Sequence, residues 1–372
     1  MRSERAGIAG IAVVFGTRPE IIKLAPLFRE LRRSRTRHRT IHTGQHYSWN
    51  MDRVFFEQLG LPEPDSRLEV GSGTQGAQTS RLLSRIEEDL LATRPALVLV
   101  QGDTNSTLAG ALAASKLGIP VAHVEAGMRT FDRRMPEEVN RVVADHLSTI
   151  LFAPTALAVR NLRAEGLPSE RIFLTGNTSI DALRENLAHL HEGDRAAHAA
   201  LLRFGTKGYI IMTLHRQENV DRRETLREII QGVSRAARRL DLPVLWPVHP
   251  RTSKMLKRFR LHMPRGIIRL PPAGYFEFLE LERRARLVIT DSGGVQEEAC
   301  VLRVPCVTVW ESETCWIETV RVGANLRVRP SADGIERAAM RMACRRPTWR
   351  NPYGEGGASA RIVRILRRSL RG

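Results

Sequence analysis

Short apolar runs alternate with stretches of helical spacing along almost the whole chain, and that alternation narrows the fold to a parallel α/β arrangement. Strand-like runs fall at 11–15, 40–43, 97–101, 121–124, 149–152 and 172–174, then at 209–214, 244–247, 267–270, 287–290, 306–309 and 326–328. Between them apolar residues recur three and four apart, as at Ile21, Leu24, Phe28 and Leu31, the period of a helix with one buried face. Strand and helix in turn make βαβ units, whose crossover helices cover a parallel sheet. The polar stretch 185–208 carries no strand signal and separates two six-strand sets. The expectation is an α/β protein of two Rossmann-like doubly wound domains, residues 1–178 and 179–356. A basic C-terminal helix at 357–372 is expected to pack back on the first. A length of 372 residues suits two domains better than one core.

Composition removes several classes of function. The net charge of +18 invites a nucleic-acid reading, because lysine and arginine gain affinity by neutralising phosphates. The excess is mostly arginine scattered over helices, however, and no zinc-finger spacing, basic zipper or RNP-like aromatic motif accompanies it. Solvated helix faces are the better account, and no nucleic-acid partner is expected. The four cysteines, Cys300, Cys306, Cys315 and Cys344, form no C-x-x-C pair. They fit neither a disulfide framework nor a zinc site and suit a reducing, cytoplasmic compartment. Two arginines before the apolar run 6–15 mimic a signal peptide, but Arg18, Glu20 and Lys23 end that run at once. A first buried strand is expected there. No run approaches the ~18 apolar residues of a membrane helix, so no membrane partner is expected.

The residues that follow the strands carry the chemistry. In open parallel sheets ligands bind beyond the carboxyl ends of the strands, where helix N-termini also point. Those ends read Gly16-Thr17-Arg18, Gly44-Gln45-His46, Gly102-Asp103-Thr104, Glu125-Ala126-Gly127, His215-Arg216-Gln217 and Asp291-Ser292-Gly293-Gly294. The last continues into Val295-Gln296-Glu297-Glu298. Its glycines admit close backbone approach, the helix behind offers N–H groups to a diphosphate, and a glutamate one turn in can accept from ribose hydroxyls. A plain capped helix, with Ser292 as N-cap, explains the same residues. Asp103, Glu125 and Glu137 are candidate acid–base carboxylates. Asp103 also fits a helix cap and Glu137 an ordinary first-turn acid, whereas Glu125 interrupts an apolar run at its buried-looking end. His215 fits either a core histidine or, given Arg216, Gln217, Glu218 and Asn219 beside it, a functional turn.

Together these segments resemble the non-hydrolysing UDP-N-acetylglucosamine 2-epimerases. The similarity begins with Gly16-Thr17-Arg18-Pro19-Glu20, Lys23 and Thr43-Gly44-Gln45-His46. It continues through Gly102-Asp103-Thr104-Asn105-Ser106-Thr107, His123-Val124-Glu125-Ala126-Gly127 and Arg133-Arg134-Met135-Pro136-Glu137-Glu138. Gly176-Asn177-Thr178, Leu214-His215-Arg216, Pro247-Val248-His249-Pro250 and Asp291-Ser292-Gly293-Gly294 complete it. The matches are ordered and run from about residue 11 to 328.

The resemblance implies a glycosyltransferase-B type fold with two domains facing across a cleft that holds the substrate, the second binding the nucleotide. The reaction implied is inversion at C2 of UDP-GlcNAc to give UDP-ManNAc, without nicotinamide or metal. UDP is eliminated to a glycal and then added back. By position, Asp103, Glu125, Glu137 and His215 match the acid–base and charge-stabilising residues, and which carboxylate takes the C2 proton stays open. Arg18, Lys23, Ser292, Gly293 and Gly294 would hold the diphosphate, Glu298 the ribose and Phe278 the uracil region. Gln45, His46 and His249 match positions linked to a second, activating UDP-GlcNAc, and a homodimer is implied. A glycosyltransferase of the same architecture, or a homologue with altered nucleotide-sugar specificity, is the competing reading.

One segment departs from the family pattern. Where the family has R-x-x-T-E-R-P-E, this chain reads Trp310-Glu311-Ser312-Glu313-Thr314-Cys315-Trp316-Ile317-Glu318. Both arginines are absent, and a charge-assisted contact of that kind is worth roughly 1.5–3 kcal/mol. Arg321 as a replacement cation, or Trp316 stacked on the base, are the two compensations the sequence offers.

Overall fold

The computed structural model describes residues 10–45, 49–189, 208–311 and 316–370, with the side chains of 49–51 and 189 set aside. His46, Thr314, Cys315 and most of the connector at 185–208 lie outside the described residues. The chain divides into two compact units, Met1–Glu185 with Tyr353–Gly372, and Asn186–Pro352.

The first unit holds β1 (Ile11–Phe15), β2 (His38–His42), β3 (Ser66–Arg67), β4 (Leu97–Gln101), β5 (Val121–Val124), β6 (Ile150–Ala153) and β7 (Ile172–Leu174). They form one sheet in the order β3-β2-β1-β4-β5-β6-β7, parallel throughout. Every residue of β1 and β4 is buried, as expected where helices cover both faces of a parallel sheet. On one face Ala12, Val14, Ile41, Val98 and Val100 meet Leu82, Ile86 and Leu90 of the helix Gln75–Thr93. The helix Arg18–Arg33 starts with a capping box, Thr17 at the N-cap and Glu20 at the third position, with Pro19 in the first turn.

The helix Thr178–His189 carries the first unit past residue 178, because Ile180, Ala182 and Leu183 are buried there. Asp181 on it accepts from the backbone N–H of Ser359 at 2.7 Å and of Ala358 at 3.2 Å, capping the last helix, Ala358–Ser369. Arg361 of that helix donates to the Thr175 carbonyl at 2.7 Å.

The second unit holds β8 (Ile210–Thr213), β9 (Val244–Pro247), β10 (Ile267–Leu270), β11 (Leu287–Thr290), β12 (Cys306–Val309) and β13 (Asn325–Val328). Their order is β10-β9-β8-β11-β12-β13, again all parallel. Ile210, Met212, Trp246, Leu287, Ile289 and Val307 pack against the helices Arg223–Leu240 and Ala332–Ala343 through Leu226, Ile229, Val233, Ile335 and Met342.

All twelve expected strands form, their ends moved by at most two residues. The strand not expected is β3, a two-residue edge held by register alone: Leu68 N–H donates to the His42 carbonyl at 2.9 Å. Two polar residues give no alternation to read. Each sheet reverses its winding once, between β1 and β4 in the first and between β8 and β11 in the second. These are the topological switch points, where the loops leaving the two strands diverge and open a crevice. Among the described residues no helix is long and apolar enough to cross a membrane.

Candidate active site

The switch point of the first unit collects the N-terminal candidates. Glu125 follows β5 with φ of 72°, left-handed backbone that costs a non-glycine residue on the order of 1–3 kcal/mol. It is only 8% exposed. Lys23 Nζ lies 2.8 Å from Glu125 Oε2 and 3.0 Å from Oε1, and Gln101, the last residue of β4, donates its amide to Oε2. A buried carboxylate is tolerable here because a cation and an amide meet it. Asp103 is bound by the Arg141 guanidinium, and its carbonyl accepts from Asn140 Nδ2 at 2.9 Å. Both partners sit on the helix Pro136–Leu147. Glu137, in the first turn of that helix, is exposed. Its neighbour Glu138 is buried, accepts from the N–H groups of Thr130 and Phe131 at 2.9 Å, and pairs with Arg141 at 2.8 Å. Glu138 thus shapes the loop ahead of Glu137 and steadies the arginine on Asp103.

Arg18 is held by the helix Trp49–Gln58, with Nε 3.6 Å from Asp52 Oδ1. Burial pushes the Asp52 carboxyl up to about 6 against the pull of Arg18, and pushes the neighbouring His42 down to about 4. Glu20 is buried beneath the same loop. Its Oε2 accepts from Gly16 N–H at 3.0 Å and Thr17 N–H at 2.8 Å, and its Oε1 from Thr104 Oγ1 at 2.9 Å. Burial nevertheless raises its carboxyl to about 7. Gln45 is buried too, its Oε1 accepting from Ser106 N–H at 2.9 Å and Ser106 Oγ at 2.7 Å. It thereby satisfies the start of the helix Asn105–Lys116, whatever its amide does.

In the second unit the organising group is Asp291, fully buried at the end of β11. It accepts from His215 N–H at 3.0 Å, Arg216 N–H at 3.0 Å and Asn219 Nδ2 at 3.1 Å. His215 Nδ1 stands 2.9 Å from its Oδ1. Burial by itself would raise this carboxyl, but the hydrogen bond and charge of His215, with the donors from Arg216 and Asn219, outweigh it and hold it below the ordinary range. With Nδ1 on Asp291, the His215 imidazole, 42% exposed, turns Nε2 outward. His249 is exposed and its ring centroid lies 5.7 Å from that of His215.

Ser292 caps the helix Gly293–Val301, its Oγ accepting from Val295 N–H at 3.4 Å. A Cβ on Gly294 would meet only Ser292 Oγ, in ordinary contact at 4.0 Å, whereas one on Gly293 would stand 2.2 Å from Trp316 Cη2. Glu298, one turn on, accepts from the Tyr275 hydroxyl at 3.2 Å. Phe278, on the same helix as Tyr275 (Tyr275–Arg283), packs against the core that includes Tyr209 and Val288.

The departing segment resolves into an aromatic stack. Trp316 lies 6.3 Å from Trp310, nearly parallel, and the Arg216 guanidinium covers Trp310 at 3.8 Å. With Trp310 and Gly293 beside it, Trp316 is 8% exposed and is a floor for the glycine loop, not a base-stacking surface. Arg321 is exposed at the end of the helix Ile317–Arg321. Overpacking follows if Gly293 gains a methyl. Gly293→Ala is expected to lose about 1–3 kcal/mol of stability in urea titration, and to lose little further when made in a Trp316→Ala background, where the clashing ring is gone. An additive double variant would place the clash elsewhere.

Sequence reasoning missed Gln101, Arg141, Asn140, Glu138, Asp291, Asn219 and Tyr275 as partners. Helical spacing was the available signal for Asn140 and Arg141, which lie three and four residues past Glu137. Gln101 and Asp291 offered another, as polar residues ending apolar strands.

The UDP-N-acetylglucosamine 2-epimerase family model matches residues 29–367. A UDP-N-acetylglucosamine 2-epimerase of Methanocaldococcus jannaschii is 49% identical over 362 residues, covering 96% of this chain and 98% of that protein. The UDP-2,3-diacetamido-2,3-dideoxy-D-glucuronate 2-epimerase of Pseudomonas aeruginosa is 42% identical, covering 96% and 99%. The crystal structure of the M. jannaschii enzyme in complex with UDP-GlcNAc and UDP superposes with a TM-score of 0.89 at 48% identity, covering 96% of this chain and 99% of that one.

Proposed function

This chain belongs to the UDP-N-acetylglucosamine 2-epimerase family, and on that footing we propose that it interconverts UDP-GlcNAc and UDP-ManNAc without hydrolysis, by elimination of UDP to a glycal and re-addition. The observation that carries the reading is the pair of switch points. The first unit presents a buried carboxylate against a lysine, Glu125 with Lys23, and an arginine-held carboxylate, Asp103. The second presents an imidazole oriented by Asp291 beside a glycine-opened helix N-terminus.

That inventory suits the chemistry. The C2 proton of the sugar is weakly acidic, so removal needs a positioned base and a departing diphosphate. Negative charge gathers on the diphosphate, which Arg18, Lys23 and the N–H groups behind Ser292, Gly293 and Gly294 would receive. Positive charge gathers at C1, where Asp103, Glu125 or Glu137 would oppose it, and His215 Nε2 would serve proton transfer or the leaving phosphate. Glu298 would take the ribose and Phe278 would flank the uracil region. Gln45, His46 and His249 would serve a second UDP-GlcNAc, and a homodimer in the cytoplasm is the state proposed.

A second reading keeps the reaction and changes the sugar, another UDP-linked 2-acetamido sugar. The P. aeruginosa relative acts on one, and the tryptophan at 316 stands where the family pattern has arginine. One experiment separates the two, a proton NMR time course with UDP-GlcNAc in D2O without added metal or nicotinamide. UDP-ManNAc deuterated at C2 is the expected product. Free UDP with ManNAc would mean hydrolysis, and no exchange at high substrate would hand the site to the second reading.

A further inference from the structure

Beneath the proposed ribose site lies a second carboxyl that none of the roles above uses. Glu282 is fully buried on the helix Tyr275–Arg283, and neither of its oxygens accepts a hydrogen bond. Tyr275 stands seven residues earlier, two turns along the same face, and its hydroxyl is already on Glu298 at 3.2 Å. That face therefore looks onto the helix Gly293–Val301, and the charge there that acts most on Glu282 is that of the Glu298 carboxyl.

Two ionised carboxylates cannot share such a place. An uncompensated buried charge costs several kcal/mol, and two carboxyls in contact raise one proton affinity strongly. Among the described residues, the titratable groups facing Glu282 are Glu298 from the opposing helix, Tyr275 from its own and Cys306 from β12. None of the three is cationic. Glu298 keeps partial access to solvent and Glu282 has none, so the proton belongs on Glu282.

We propose that Glu282 is held as the neutral acid and donates its hydrogen bond to Glu298, making it the positioning residue that aims Glu298 at the ribose hydroxyls. The proposal rests on the nucleotide-sugar reading above. Burial, then the charge and hydrogen bond of Glu298, push the Glu282 carboxyl well above its usual range, in keeping with a proton retained at neutral pH. When that proton is lost at high pH, repulsion turns Glu298 away and nucleotide affinity falls.

The test is UDP binding by titration calorimetry between about pH 7 and about pH 10, a span that brackets buried glutamates of this kind, on wild type, Glu282→Gln and Glu282→Leu. Wild type should weaken about tenfold across that range. Glu282→Gln, a fixed neutral donor, should hold its neutral-pH affinity throughout. Glu282→Leu should be about tenfold weaker at every pH, with KM for the UDP-sugar raised and kcat within about twofold of wild type. A Gln variant that follows the wild-type pH curve, or a Leu variant with wild-type affinity, overturns the proposal. Wild type that fails to bind UDP at all overturns both this and the family reading, whereas normal UDP binding with no effect of Glu282→Gln or Glu282→Leu overturns this alone.

Discussion

Glu125→Gln should lower kcat by about three orders of magnitude while moving KM only a few-fold, since a positioned acid–base group contributes roughly 10²–10⁴ in rate. The amide keeps the shape of the carboxyl and one oxygen for Lys23, so folding is expected to survive. What it loses is the ability to hold a proton or oppose charge at C1. The site makes Glu125 the sharper choice among the three carboxylates. It is buried, left-handed at φ of 72°, and pinned by Lys23 and Gln101, a costly arrangement that capping does not require. Asp103, by contrast, is bound to an arginine, and Glu137 is exposed. The measurement is steady-state epimerisation together with C2 exchange into D2O, run beside Asp103→Asn. If E125Q exchanges C2 at the wild-type rate, Glu125 is not on the proton's path.

Much of this was legible in the sequence for physical reasons. Strands buried on both faces read as unbroken apolar runs, as Leu97–Gln101 does until its last residue, and the polar residues that end such runs are therefore conspicuous. Asp103, Glu125, His215 and Ser292 were visible on that ground. Their partners were not, because those come from distant parts of the chain. Lys23 reaches Glu125 across 102 residues, Arg141 reaches Asp103 across 38, and His215 reaches Asp291 across 76. Residue spacing says nothing at that range. Glu282 was illegible for the opposite reason, since a glutamate among Arg283 and Arg284 reads as a solvated face until burial is known. Trp316 reads in the sequence only as the residue that stands in place of an arginine, because its neighbours Trp310 and Gly293 are brought to it by packing.

The other large effect is expected at Asp291, a residue that need never touch substrate. Its carboxylate receives His215, Arg216 and Asn219 at once, tying the loop after β8 to the end of β11 across the switch point of the second sheet. Asp291→Ala leaves two backbone N–H groups and an imidazole without their acceptor, a loss of about 3–5 kcal/mol for a broken buried cluster. Urea unfolding should show that loss, and activity should fall with it as His215 is set adrift. Because the folded carboxyl is held below the ordinary 3.8, its stabilisation is complete above that value and disappears as pH falls through the lower, folded one. The gap between wild type and variant should therefore be widest near neutrality and narrow in acid. Asp291→Asn separates structure from charge. It restores an acceptor for Arg216 or His215 N–H but turns an amide N–H toward the other donors, so part of the stability returns while the imidazole loses its anionic partner. A stable Asp291→Asn enzyme with wild-type kcat would show that His215 does its work without Asp291.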